Sequence, residues 1–193
     1  MILVTGGTGL VGSAINADIK LSSKDVDLKD WKSTLSLFEY HKPDAVIHCA
    51  AHVGGLGDNM NSKGEFFYDN VMINTNVLEA CRLTGVNKVV SFLSTCIFPD
   101  NIEYPLTEQQ IHSGPPHDSN YPYAYAKRMI EIQSRAYSEQ YKTNFQNNIQ
   151  GMFDNTQSFE TIGANVSAFV KDAVKNGLSK ATAQQYILET LTD

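Results

Sequence analysis

The sequence predicts an α/β protein with a doubly wound parallel sheet, and three observations support this prediction. Short apolar runs of strand length alternate with amphipathic segments of helix length through residues 1–143. Three of the apolar runs lack polar alternation, which is typical of strands buried on both faces of a parallel sheet. A glycine cluster directly follows the first run, where such a sheet makes its first turn into a helix. The order strand, helix, strand, helix places helices on both faces of the sheet.

Four apolar runs are expected to form the strands, and they lie at residues 1–5, 19–21, 45–51 and 88–93. Little chain separates the first two runs, although a parallel crossover needs about a dozen residues. The helix between these two strands is therefore expected to be unusually short.

Four further segments are expected to be helices, at residues 10–17, 30–41, 71–83 and 123–141. The second has Trp31, Leu35 and Phe38 at helical spacing, and a proline soon follows it. Gly85 ends the third helix. Residues 99–122 hold five of the six prolines and are expected to form a long loop, a kind of segment that often carries function.

Residues 144–193 break this alternation and are expected to form a C-terminal helical segment. Phe145, Ile149 and Phe153 are four residues apart, which favours a continuation of the preceding helix. The stretch TNFQNNIQGMF around them is too polar for a central strand. Apolar residues at helical spacing favour two more helices beyond this stretch. A helix-turn-helix is the alternative interpretation, but the excess of acidic over basic side chains favours a packed helical hairpin over DNA binding.

The composition excludes several classes of function. The net charge of −6 disfavours binding to nucleic acid and to anionic lipid. We expect neither a signal peptide nor a membrane span, because the first residues lack a basic segment and no apolar window reaches about 18 residues. The three cysteines, Cys49, Cys81 and Cys96, lack metal-ligand spacing. This pattern favours free thiols, a reducing and cytoplasmic location, and no metal site.

The stretch GGTGLVG supplies a candidate phosphate-binding turn. Gly6, Gly9 and Gly12 follow a predicted strand and open a predicted helix, where glycines permit a tight turn and close approach to a pyrophosphate. Leu10 and Val11 lie at the start of that helix, whose free N–H groups can bind phosphate. We therefore predict a dinucleotide site at this turn; a glycine-rich turn without a ligand is the alternative.

The residues after the second strand bear on which dinucleotide binds. Ser23 and Lys24 can hold the 2′-phosphate of NADP. An acidic residue at the end of that strand would favour the ribose hydroxyls of NAD, and Asp25 and Asp27 follow closely. A solvated surface charge is the alternative interpretation of Lys24. These residues alone leave NADP and NAD open.

A second set of residues indicates carbonyl chemistry. Tyr123 and Lys127 are four residues apart on a predicted helix and therefore share a face. A cation beside a phenol lowers the pKa of the phenol. Ser94 lies just past the fourth strand, at the end of the sheet where ligands bind. For the tyrosine and lysine alone, an ordinary surface pair is the alternative, but the glycine turn and the serine favour catalysis.

These motifs resemble the extended short-chain dehydrogenase/reductase family. The matching stretches, all within residues 1–143, are ILVTGGTGLVGSAI, SSKDVDL, AVIHCAAHVGG, NKVVSFLSTCIFP, IHSGPPHDSN and YAYAKRMIEIQSRAYSEQY. The resemblance implies a truncated Rossmann-like domain and NADPH-dependent epimerisation and reduction of GDP-4-keto-6-deoxymannose to GDP-fucose. It implies that Ala50 and Ala51, after the third strand, contact the cofactor. It also implies a homodimer that pairs through a helix bundle including the tyrosine–lysine helix.

The resemblance further implies roles for individual residues. Tyr123 is the proton donor to the 4-keto oxygen, and Lys127 is its partner and also holds the ribose. Ser94 polarises the carbonyl. Cys96 matches the cysteine that acts as acid or base in epimerisation; a small buried residue is the alternative interpretation.

Two features depart from the pattern of the family. The family has a second epimerisation group, a histidine downstream of the tyrosine–lysine helix, whereas the last histidine in this sequence is His117. Residues 144–193 stand where the family has a further strand and a separate substrate domain. The alternative function is therefore a catalytically incomplete domain that serves as a structural or partner-binding component.

Overall fold

The computed structural model describes residues 1–86 and 88–150, which form one sheet flanked by helices. The strands are β1 (Ile2–Thr5), β2 (Ile19–Leu21), β3 (Ala45–His48), β4 (Lys88–Ser94) and β5 (Asn144–Gln150). The helices are α1 (Leu10–Ala14), α2 (Trp31–His41), α3 (Leu56–Asn61), α4 (Lys63–Leu83) and α5 (Tyr121–Tyr141). All strand pairs are parallel, in the order β2-β1-β3-β4-β5, which confirms the predicted sheet.

The direction of strand addition reverses at β1, because the chain runs outward to β2 and then crosses back to β3. Right-handed crossovers place α1 on one face of the sheet and α2, α4 and α5 on the other. Within this second layer, α2 packs on α4 and α4 packs on α5. The carboxyl ends of β1 and β3 lie side by side at the reversal, which is where open α/β sheets bind ligands.

The main core lies between the sheet and the layer formed by α2, α4 and α5. The side chains of β3 and β4 are buried along most of their length, because both are central strands. The largest fully buried apolar side chains are Leu3, Val4, Phe38, Val46, Val77, Leu78, Val89, Leu93, Ile97 and Ile130. This packing fixes α5 relative to the strand ends and thereby positions the site.

The helices differ from the prediction mainly where they begin. α1 is as short as expected, with five residues. α4 begins at Lys63, well before the predicted start at residue 71, and the preceding α3 was not predicted. Phe66 is buried in the first turns of α4, but the adjacent Phe67 and Tyr68 are exposed. Three consecutive aromatic side chains hide the helical periodicity there.

Residues 144–150 form a strand, so the predicted continuation of α5 through Phe145 and Ile149 is wrong. The predicted domain boundary after residue 143 consequently falls inside the sheet. α5 ends at Tyr141, and Lys142 then adopts a left-handed conformation with φ of 59°. β5 pairs with β4 along one edge, and among the described strands it has no second neighbour. Polar side chains are tolerated on such a strand, where Phe145 is buried and Gln146 is exposed.

Phe153 and the helices predicted beyond it, including the alternative helix-turn-helix, lie outside the described residues. In the part of the chain that is described, no helix combines the length and the apolarity needed to cross a membrane. Cys49, Cys81 and Cys96 are free thiols, as predicted.

Candidate functional site

A cavity of about 640 Å³ opens at the carboxyl ends of β1, β3 and β4. Cavities that bind small molecules and cofactors have volumes of roughly 300–1,000 Å³. The predicted site residues that line it are Gly6, Gly9, Leu10, Val11, Gly12, Ser23, Ala50, Ala51, Tyr123 and Lys127. Lys24, Ser94 and Cys96 were also predicted, but they do not form part of its wall. The fold therefore brings the glycine turn and the tyrosine–lysine pair into one cavity.

The backbone around the glycine turn leaves no room for a side chain at Gly6 or at Gly12. Gly6 has a positive φ of 70°, and a Cβ there would lie 2.7 Å from the backbone nitrogen of Ala50. A Cβ on Gly12 would overlap the carbonyl oxygen of Gly6. Glycine is thus required for the close approach of this turn to the end of β3. α1 begins directly after Gly9, and no side chain caps its first N–H groups, which leaves them free for an anion.

The turn after β2 places Ser23 in the cavity wall and Lys24 outside it. Ser22 donates hydrogen bonds from its amide and its hydroxyl to Asp25, at 2.8 and 2.6 Å. These bonds hold the pKa of the Asp25 carboxyl below its usual value. The amide of Lys24 donates to the Ser22 hydroxyl oxygen at 3.3 Å, while its side chain is exposed. The backbone of this turn is therefore fixed, and the lysine side chain extends from it.

Tyr123 and Lys127 lie one turn apart on α5 and share the face that lines the cavity, as predicted. Lys127 is 3% exposed, and its Nζ donates to the carbonyl oxygen of Phe92 at 3.1 Å. Burial lowers the pKa of Lys127 to about 8. Burial also raises the pKa of Tyr123, so the lowering expected from the neighbouring lysine does not occur. Tyr123 is therefore protonated at neutral pH and suited to donate a proton.

Ser94 and Cys96 lie at the end of β4, beside the cavity. Cys96 lies in the 3₁₀ turn Thr95–Ile97, and its amide donates to the Ser94 hydroxyl oxygen at 3.5 Å. Burial raises the pKa of the Cys96 thiol. The 3₁₀ turn packs against α5, the helix that carries Tyr123 and Lys127. Cys96 and its neighbour Ser94 therefore lie beside the helix that carries the tyrosine–lysine pair.

The cavity also holds a charged group that the sequence analysis did not identify. Asp69 accepts a hydrogen bond from Lys29 at 3.2 Å and is paired with His52 Nδ1 at 3.0 Å. All three residues line the cavity. His52 also stacks on Phe66. Asp69 lies in the first turns of α4, where helical periodicity is hidden, so no sequence signal placed it near His52.

A buried chain of hydrogen bonds joins β1 and β3 to α5. Thr5 Oγ1 lies 2.7 Å from His48 Nδ1. His48 Nε2 lies 3.0 Å from Asn74 Oδ1, and Asn74 Nδ2 donates to the carbonyl oxygen of Ala126 at 3.2 Å. Because Asn74 presents its oxygen to the ring, His48 Nε2 is the donor. Burial lowers the pKa of His48 to about 3, so the ring is neutral and this chain holds α5 in a constant position near neutral pH.

Comparisons with known proteins agree with this geometry. A model of the NAD dependent epimerase/dehydratase family matches residues 2–151. A GDP-L-fucose synthase of Dictyostelium discoideum is 52% identical over 169 residues, which cover 80% of this chain and 53% of the relative. A probable GDP-L-fucose synthase of Drosophila melanogaster is 51% identical over 151 residues, which cover 72% of this chain and 47% of the relative.

Solved structures show the same likeness. The crystal structure of a GDP-L-fucose synthetase from Naegleria fowleri bound to NADP superposes with a TM-score of 0.71 at 48% identity. The match covers 77% of this chain and 49% of that chain. This chain thus spans about half the length of the curated relatives that it matches.

Proposed function

Because the chain belongs to the NAD dependent epimerase/dehydratase family, we propose that it binds NADP(H) and converts GDP-4-keto-6-deoxymannose to GDP-L-fucose. The observation that carries this proposal is the single cavity shared by the glycine turn and by Tyr123 and Lys127. The names of the similar proteins support the nucleotide-sugar, and the NADP in the similar structure supports the cofactor. A cytoplasmic location is part of the proposal, since the three free thiols suit a reducing compartment.

The residues of the cavity fit a dinucleotide. Gly6 and Gly12 form a cradle that a Cβ would fill, and the uncapped N–H groups of α1 suit a pyrophosphate. Ala50 and Ala51 add small side chains to the wall. Lys127 would hold the ribose beside Tyr123. When bound, the reduced dinucleotide supplies a hydride.

The chain's own residues would manage the protons of the reaction. The Tyr123 hydroxyl is protonated at neutral pH, so that it can donate its proton to the 4-keto oxygen. Lys127 carries its charge below about pH 8 and would stabilise the phenolate left behind. In this proposal the Ser94 hydroxyl polarises the carbonyl. The Cys96 thiol delivers a proton to one face of a carbon that is epimerised, while a second group removes the proton from the opposite face.

Consumption of NADPH by the purified chain with GDP-4-keto-6-deoxymannose tests this proposal. We expect the NADPH absorbance to fall only when the nucleotide-sugar is present, with GDP-L-fucose as the product on chromatography. A folded chain that binds NADPH without consuming it would overturn the proposed activity. That result would favour the alternative, a cofactor-binding component without turnover.

We propose that Lys24 selects NADP over NAD. Its exposed side chain follows Ser23 directly, and Ser23 lines the cavity at the end of β2. We expect Lys24→Glu to weaken NADPH binding by about tenfold, since a charged contact to the 2′-phosphate becomes a repulsion. Binding of NADH, which lacks that phosphate, is expected to be unchanged.

Fluorescence titration of both cofactors measures this difference. Lys32→Glu makes the same change of charge at an exposed position of α2 outside the cavity wall, and we expect wild-type binding from it. An equal loss of affinity for NADPH and NADH would contradict selection by Lys24, as would no loss for either.

We also propose a homodimer that forms through α5. An apolar groove of about 350 Å³ crosses α5 and the neighbouring α4, and it contains the side chains of Phe67, Tyr125, Met129 and Ile132. These side chains are 37–47% exposed. A group of exposed apolar side chains marks an interaction surface. The position of the groove agrees with pairing through the helix that carries Tyr123.

Ile132→Glu is expected to convert the dimer into a monomer, because it places a carboxylate in the centre of the groove. Size-exclusion chromatography with light scattering gives the mass of each variant. Tyr40→Glu introduces the same charge on α2, at a side chain that is 83% exposed, and is expected to remain dimeric. A monomeric wild-type chain, or a dimeric Ile132→Glu variant, would show that this groove is not the interface.

A further inference from the structure

Arg128 is a buried cation that the proposed mechanism does not use. It follows Lys127 on α5 and is 4% exposed. Its Nε donates to the carbonyl oxygen of Ile97 at 2.5 Å, and its Nη1 donates to the carbonyl oxygen of Gly114 at 2.8 Å. The guanidinium also lies over the ring of Tyr125, 5.2 Å from its centroid. One side chain thus connects α5 to two separate segments.

One of these segments contains Cys96, and the other folds back against the chain that follows Cys96. Ile97 follows Cys96 directly in the 3₁₀ turn. The turn is closed by one backbone hydrogen bond, from the Phe98 amide to the Thr95 carbonyl oxygen at 3.1 Å, and the Cys96 amide makes a longer one of 3.5 Å to Ser94. Gly114 belongs to the long loop after the turn, and this loop folds back so that Gly114 packs against Pro99. The guanidinium therefore bridges the turn and the returning loop.

We propose that Arg128 is a positioning residue that holds the Cys96 turn against α5, near Tyr123. This inference rests on the proposed function, in which Cys96 exchanges a proton and therefore needs a fixed position. A guanidinium is suited to this task because its planar fork can donate to two carbonyls at once. A lysine ammonium keeps the positive charge but cannot donate to both carbonyls at once. The variant Arg128→Lys therefore removes the two-carbonyl bridge without removing the charge.

The test measures how fast iodoacetamide alkylates each cysteine, with mass spectrometry of the digested protein as the readout. In Arg128→Lys we expect Cys96 to react about five to ten times faster than in the wild-type chain, because the turn opens more often. Cys49 and Cys81 are expected to keep their wild-type rates. Arg135→Lys is the matched control, since it makes the same change two turns further along α5 at an exposed side chain.

An unchanged rate at Cys96 in a folded Arg128→Lys variant would overturn the proposal. Equal acceleration of all three thiols would also overturn it, because Arg128 would then stabilise the whole fold. If Arg128→Lys does not fold, Arg128→Gln is the second variant, and failure of both to fold counts against a local role in the same way.

This measurement contains neither NADPH nor nucleotide-sugar, so it separates the inference from the proposed function. A wild-type chain without turnover, together with faster alkylation of Cys96 alone in Arg128→Lys, would refute the proposed activity and retain the positioning role. Turnover by the wild-type chain, together with an unchanged alkylation rate of Cys96 in Arg128→Lys, would support the proposed activity and refute the positioning role.

Discussion

Tyr123→Phe is expected to lower the kcat of NADPH consumption by roughly 10²- to 10⁴-fold, the usual contribution of a general acid. The substitution removes the hydroxyl but keeps the ring in the cavity wall. That hydroxyl is protonated in the wild-type chain at neutral pH, so its loss removes a proton donor. The affinity for NADPH, measured by fluorescence titration, is expected to change little, because most of the cradle is formed by the glycine turn.

Tyr121→Phe is the matched control for this experiment. It removes a hydroxyl from the same helix two residues earlier, at a side chain that is 40% exposed and does not line the cavity. We expect wild-type turnover from it. Wild-type turnover in Tyr123→Phe would mean that another group protonates the keto oxygen. Equal losses in both variants would indicate a general effect on α5.

Gly12→Val is expected to weaken NADPH binding by roughly 100-fold or more, the equivalent of losing two charge-assisted hydrogen bonds to the pyrophosphate. Gly12 is buried, and its Cβ would overlap the carbonyl oxygen of Gly6. Backbone atoms cannot move aside as a flexible side chain can, so the whole turn has to open. The first N–H groups of α1 would then no longer point toward the same anion.

Gly64→Ala is the matched control, because a Cβ at this position of α4 meets no heavy atom within 4 Å. Alanine in a helix stabilises the chain by about 0.5–1 kcal/mol relative to glycine, so a slightly higher Tm is expected. Titration with NADPH measures the loss of cofactor affinity, and thermal melts measure any change in the stability of the fold. Wild-type affinity in a folded Gly12→Val chain would show that this turn does not bind the dinucleotide.

The parts of the fold that could be predicted are those in which local pattern and burial agree. The strands predicted at 45–51 and 88–93 are mostly apolar because they are central, and the structure buries both. Tyr123 and Lys127 share a face because α5 is a regular helix, which residue spacing alone predicts. The glycine turn was predictable because Gly6 and Gly12 stand where no larger residue fits.

The predictions that failed depend on tertiary contacts, which the local pattern of residues does not reveal. Among the described strands, β5 has β4 as its one neighbour, and a strand in that position tolerates polar side chains. These polar side chains hid the strand in the sequence. The pKa of Tyr123 rises because most of its side chain is buried, and the degree of burial cannot be derived from the spacing of two residues. Arg128 binds two backbone carbonyls that lie far from it in the sequence. Because any residue can supply a backbone carbonyl, the sequence does not show such contacts. These features depend on tertiary structure.

Deuterium transfer is the most direct measurement of whether this cavity delivers a hydride to a sugar beside Tyr123. The wild-type chain is incubated with GDP-4-keto-6-deoxymannose and NADPH that carries deuterium on the transferable position of the nicotinamide. Mass spectrometry of the nucleotide-sugar is expected to show one added deuterium, which unlabelled NADPH does not produce. An unlabelled and unreduced sugar, from a folded chain shown to bind NADPH, would contradict the proposed chemistry.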